Sequence, residues 1–196
     1  MMIERRPPRP AEAGERDVDD GALVARLGAG DSGALDELLR CYWPEVFAYA
    51  RRILGSADAA EDVAQSTFIR LWQRRTKLGP HGSLRFLLLR IARNFALNED
   101  RARRRRSHRR HAPGTATPAT STTPLTSILD AELEEAVERA IAALPERRRQ
   151  IFVLSRYHGL SYREIADLLD LSPQTVANQM SAALTALRRA LADHLT

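Results

Sequence analysis

Large apolar side chains return along this chain every three or four positions, the period of one face of an α-helix. Nowhere do they alternate long enough to suggest a strand. Leu23, Leu27, Leu35, Leu38 and Leu39 begin the pattern, and Val46, Phe47, Ala50, Ile53 and Leu54 carry it to Gly55, a residue suited to close a helix. A third stretch holds Val63, Phe68, Leu71 and Trp72, and a fourth holds Leu84, Leu87, Leu88, Ile91 and Phe95. Further on, the period resumes with Leu129, Leu133, Val137, Ile141 and Leu144. Pro145 then predicts the first turn of a helix that buries Ile151 and Leu154 and stops near Gly159. The expectation is an all-α chain.

Residues 112 to 127, APGTATPATSTTPLTS, interrupt the pattern with three prolines, no charge and one large apolar side chain, Leu125. So little apolar surface cannot offset the entropy of ordering, and the segment reads as a flexible linker. Two small helical domains are therefore expected, residues 20–111 and 128–196, after a disordered tail, residues 1–19, that carries Pro7, Pro8 and Pro10. A chain of 196 residues that is 44% hydrophobic can fill two such cores.

Charge changes the picture at one place. The net charge is +5, yet residues 101–111, RARRRRSHRRH, hold seven arginines and no acid, so the remainder is slightly acidic. Cationic side chains concentrated at the end of a helical domain suit a polyanion such as nucleic acid; a solvated basic run is the plainer alternative. Cys41 is the only cysteine, so no internal disulfide forms, and no Cys/His spacing fits zinc. The reading is a cytoplasmic chain with no metal, no cofactor, no signal peptide and no membrane insertion. It is also not expected to be an enzyme: there is no phosphate-binding glycine loop and no nucleophile–base motif, and His81, His108, His111, His158 and His194 are scattered.

The most informative stretch is GLSYREIADLLDLSPQTVANQMSAALTAL, Gly159 to Leu187. Ser161 and Glu164 have capping-box spacing, so a short helix starts at Ser161 with Ile165, Ala166 and Leu169 inward. Leu171 fills the turn, Ser172 caps a second helix, and Pro173 takes its first position. The apolar face continues through Val176 and Met180 toward Leu184, Leu187 and Leu191. This is a helix-turn-helix, a motif whose second helix enters the major groove. Gln174, Thr175, Asn178 and Gln179 face outward, and Gln or Asn pairs with adenine while a Thr methyl packs on thymine. Arg163, on the first helix, joins them as a candidate DNA contact. An ordinary helical hairpin with polar residues toward water is the alternative. Residues 112–196 carry eight arginines against ten acids, too few cations for tight autonomous DNA binding, so a larger DNA-binding machine is expected to supply affinity.

At this point a family resemblance appears. LPERRRQIFVLSRYHGLSYREIADLLDLSPQTV, Leu144 to Val176, resembles the promoter-reading domain of bacterial extracytoplasmic-function sigma factors, initiation subunits of RNA polymerase. AEDVAQSTFIRLWQ, Ala60 to Gln73, is similar to the family's polymerase-binding helix, and LRIARNFALNEDRARRRR, Leu89 to Arg106, to its helix for the minus-10 element. The resemblance implies core RNA polymerase and promoter DNA as partners, with an anti-sigma factor as a common third. It implies polymerase docking through Glu61, Asp62, Gln65 and Phe68. Helix spacing puts Glu61, Gln65 and Phe68 on one face; acids near the helix start with Phe68 in the core is the alternative. It further implies contact between the melted promoter and Arg85, Arg90, Arg93, Asn94, Arg101, Arg103, Arg104, Arg105 and Arg106. The chain departs from the family pattern at Ala59, where an acid is usual, at Leu87, where many members have an aromatic, and at Ala177, where a basic residue is frequent.

Two other classes share some of these features. A free-standing repressor or response-regulator output domain has the helix-turn-helix but needs no AEDVAQSTF helix. A protein that only binds another regulator has no use for the seven-arginine run.

Overall fold

A computed structural model describes residues 19–79, 83–110 and 128–192, with side chains described at all of these except 107–110 and 128–132. All regular structure among them is helical: α1 Asp20–Gly28, α2 Ser32–Leu54, α3 Ala57–Gln73, α4 Leu84–Arg110, α5 Ile128–Ala143, α6 Glu146–Arg156, α7 Tyr162–Leu169 and α8 Pro173–Ala190, with a 3₁₀ turn at Arg75–Lys77. The tail and the linker expected from sequence lie outside the described residues, Asp19 apart. By packing, one compact unit runs up to Ala142 and the other begins at Ala143.

Local chemistry fixes the helix ends of the first unit. Asp19 caps α1 through the N–H groups of Gly21 and Ala22, and Asp31 caps α2 through Gly33. Between these helices Gly30 adopts φ +81°, a left-handed conformation that costs glycine nothing. Gly55 ends α2 in the same region (φ +68°), with its N–H bonded to the Arg51 carbonyl, as its place in the sequence predicts. Ser56 then caps α3.

Helices α2, α3 and α4 pack on one another, and α1 lies against α2 and the 3₁₀ turn. The core combines Leu23, Leu27, Leu38, Val46, Tyr49, Ile53, Val63, Leu71, Leu84, Leu88 and Leu89, all buried. On α4 the buried row is Leu84, Leu88, Leu89, Ala92 and Ala96, while the expected Leu87, Ile91 and Phe95 are half-buried. Small alanines let the bundle close on that side, and the bulkier row lies at its edge. One long-range bond fixes where α4 starts. Asp20 accepts from Tyr42 Oη at 2.6 Å and from the Leu84 N–H at 2.8 Å, so an acid from α1 satisfies a free donor at the head of α4.

Helix α5 buries Ala136, Ala140 and Ile141, whereas Leu133, expected inside, is 38% exposed and Val137 half-buried. Leu129 lies among the undescribed side chains. In the second unit α6, α7 and α8 pack mutually. Pro145 sits at the N-cap, one residue before α6 begins. The inward face of α8 is Val176, Met180, Ala183 and Leu187, with Ala183 taking the place expected of half-buried Leu184.

Candidate nucleic-acid interface

The second unit builds a helix-turn-helix from two caps and one left-handed residue. Ser161 Oγ accepts from the Glu164 N–H at 3.3 Å, and Glu164 Oε2 accepts from the Ser161 N–H at 2.7 Å, completing the capping box. Helix α7 ends at Asp170, φ +57°, and the Leu171 N–H returns to the Ala166 carbonyl at 2.9 Å. Three residues later α8 has begun, with Pro173 at the start and one of its free N–H groups, that of Thr175, donating to Ser172 Oγ. Ile165, Ala166, Leu168 and Leu169 of α7 and Val176 of α8 are buried, which sets the angle between the two helices.

The outward residues of α8 divide by their bonds. Gln174 and Asn178 are exposed and joined to each other, Nε2 of the first donating to Oδ1 of the second at 3.1 Å. Thr175 is half-buried, its hydroxyl 2.9 Å from that of Ser172. Gln179 is half-buried too, and its Oε1 accepts from Arg148 Nε of α6 at 3.1 Å. Arg163 is exposed on the first turn of α7.

In the first unit the candidate cations on α4 fall into two groups. Arg90, Asn94, Asn98, Arg101 and Arg105 are all exposed and recur at spacings of four, four, three and four, within an arc of about 80°. None of the three arginines is ion-paired with a described residue. The others are engaged within the chain. Arg85 pairs with Glu45 at 2.6 Å, Arg104 with Asp100 at 2.9 Å and Arg106 with Glu99 at 2.6 Å. Arg103 donates to the Leu54 carbonyl, and half-buried Arg93 bonds Asn94. Sequence alone does not single out Asn98, although its spacing from Asn94 and Arg101 continues the row.

On α3 the exposed face is Glu61, Asp62, Gln65 and Ile69, with Gln65 Nε2 donating to Glu61 at 3.3 Å. Phe68 is not part of it. It is 4% exposed, and its ring stacks on Trp43 with centroids 5.7 Å apart. The side chain stands at the border of the exposed arc, and the neighbouring indole draws it into the core, the alternative placement that the sequence allows. Ile69, 57% exposed, takes the apolar position on this face. Its spacing from Asp62 and Gln65 is readable in the sequence, but its residue type suggests core.

Among the described residues no group of His, Cys, Asp and Glu is placed to hold a metal ion, and no helix is long and apolar enough to cross a membrane. Among the described residues the geometry offers an all-helical protein with a capped helix-turn-helix and a second helix that is cationic and asparagine-bearing, features suited to a protein that binds DNA. Comparison with known proteins narrows the class. The model of Sigma-70 region 2 matches residues 38–107, and that of Sigma-70, region 4 matches residues 134–187. The chain is 32% identical over 176 residues to the ECF RNA polymerase sigma factor SigL of Mycobacterium tuberculosis, covering 87% of this chain and 97% of the relative. It is 30% identical over 180 residues to the RNA polymerase sigma-H factor of Pseudomonas aeruginosa, covering 88% and 93%. Its fold is similar to that of CnrH, solved in complex with the cytosolic domain of CnrY (TM-score 0.67, 22% identity, 90% of this chain and 99% of the other). It is also similar to sigma factor RpoE of Bartonella quintana, solved with the anti-sigma factor NepR (TM-score 0.69, 22% identity, 80% and 95%). The chain belongs to the sigma-70 family, in its extracytoplasmic-function branch, whose members direct RNA polymerase to promoters.

Proposed function

We propose that this chain binds core RNA polymerase through α3, engages the minus-10 element through α4 and reads the minus-35 element through α8. Residues 20–111 form the first functional domain and residues 128–196 the second, with residues 112–127 joining them; the region 4 match, which begins within α5, supports assigning that helix to the second. The observation that carries the reading is the α4 row. Arg90, Arg101 and Arg105 hold phosphates, and Asn94 and Asn98 between them face the bases exposed by melting. On α3, Glu61, Asp62 and Gln65 supply the polar contacts to polymerase and Ile69 the apolar one.

The second domain is acidic overall, so its affinity for DNA comes from being held there by polymerase. The chain acts as a non-catalytic initiation factor in the cytoplasm. The similarity in fold to RpoE, solved with the anti-sigma factor NepR, supports an anti-sigma partner for this chain as well.

Footprinting on the chain's own upstream region tests the reading. Protection of two separated elements is expected only when chain and core polymerase are both present. Full protection by the chain alone would assign it instead to the free-standing regulators.

A further inference from the structure

We infer that Arg148 of α6 is a phosphate-binding residue of the minus-35 interface and that Gln179 of α8 positions it rather than reading a base. The inference rests on the proposed role of α8. Gln179 stands one turn beyond Thr175 on the flank of the recognition helix, and its Oε1 accepts from Arg148 Nε at 3.1 Å. That bond uses one of the five N–H donors of the guanidinium and leaves the two terminal nitrogens to a further acceptor. It also takes one of the two lone pairs of the Gln179 amide oxygen and ties that amide to α6, whereas the amides of Gln174 and Asn178 are tied only to each other on the exposed face.

The distribution of charge points the same way. The domain carries more acids than arginines, yet Arg147, Arg148 and Arg149 follow one another in the first turn of α6. Arg149 is buried and Arg147 exposed. Half-buried Arg148 is tied to the recognition helix through Gln179. A planar fork held at one nitrogen beside a helix that lies in the major groove meets the sugar-phosphate backbone at the groove's edge, where arginine suits a phosphate better than lysine does. Contacts of this kind set the register of a recognition helix without carrying sequence information.

The test uses the full chain in holoenzyme, on promoter DNA randomised across the minus-35 element and over a range of salt concentration. Arg148→Met keeps the aliphatic stem and removes the fork, and Gln179→Met keeps length and packing and removes the acceptor. The expected result for Arg148→Met is weaker engagement of all sequences alike, unchanged base preference and a salt slope flatter by about 0.9, the value of one duplex phosphate. Gln179→Met should produce a smaller loss of the same kind, absent when Arg148 is already Met, with thermal stability unchanged in both. A merely structural Gln179 would not move the salt slope. Altered base preference with an unchanged slope in Gln179→Met would overturn the inference in favour of base reading, and an unchanged slope in Arg148→Met would overturn it outright. Loss of core binding by the unmodified chain would refute the sigma-factor reading and this one with it, an outcome separable from the others because it needs no variant.

Discussion

Arg103 Nη1 donates a hydrogen bond to the Leu54 carbonyl oxygen at 3.2 Å, tying the basic end of α4 to the last residue of α2. That carbonyl has no partner within its own helix, and a cation is favourable at the negative end of the helix dipole. Arg103→Ala should therefore lower stability by about 1 to 2 kcal/mol and leave the salt slope of promoter engagement unchanged. Arg101→Ala and Arg105→Ala should do the reverse, keeping the melting temperature and flattening the slope by about 0.7 to 0.9 for each phosphate no longer neutralised. Thermal melts and salt titration of the three variants check the division.

A similar separation is expected on α3. Glu61→Lys combined with Ile69→Asp should weaken core binding at least tenfold with little change in melting temperature, because both side chains are exposed. Phe68→Ala removes a buried ring stacked on Trp43 and should cost about 3 to 5 kcal/mol of stability. Core affinity measured beside thermal stability distinguishes the docking face from the core beneath it.

The contrast between Phe68 and Ile69 shows how far sequence reaches. Periodicity locates the long apolar faces, and cap chemistry at Ser161, Ser172 and Gly55 marks ends that the structure reproduces, because both signals are local. Which residue at the border of a stripe turns inward depends on a partner elsewhere, as Trp43 decides for Phe68. The hold of Asp20 on the head of α4 spans 64 residues and leaves no local trace. The arginine run is legible as a whole, but the roles of its members are not. Asp100, Glu99 and the Leu54 carbonyl claim three of them through geometry that composition cannot supply.

The α1–α2 junction has a pH dependence of defined sign. The Arg26 hydrogen bond, foremost, holds the Asp31 carboxyl below its ordinary pKa, with the Gly33 N–H assisting. A carboxyl depressed in the folded state contributes stability that is present above its unfolded pKa and lost as pH falls through the folded one. Asp31→Asn retains an N-cap but loses the ion pair, so it should melt below the wild type at neutral pH. That gap should close as pH falls below about 4, and salt should shrink it at neutral pH because both partners are exposed. Paired melts across pH and salt measure it.

On the proposed reading, this chain gives polymerase its upstream sequence preference through the exposed side chains at the start of α8. Gln174 and Asn178 are bonded to each other, so they present one joint surface, and substitutions at the two should not be additive. The direct measurement is initiation in vitro by holoenzymes carrying Gln174→Ala or Asn178→Ala on a library randomised across the minus-35 element. Discrimination should relax by about 1 to 3 kcal/mol at one or two adjacent positions while the minus-10 preference stays the same. Unchanged preferred bases in both variants, with initiation otherwise normal, would contradict the assignment of sequence reading to these residues.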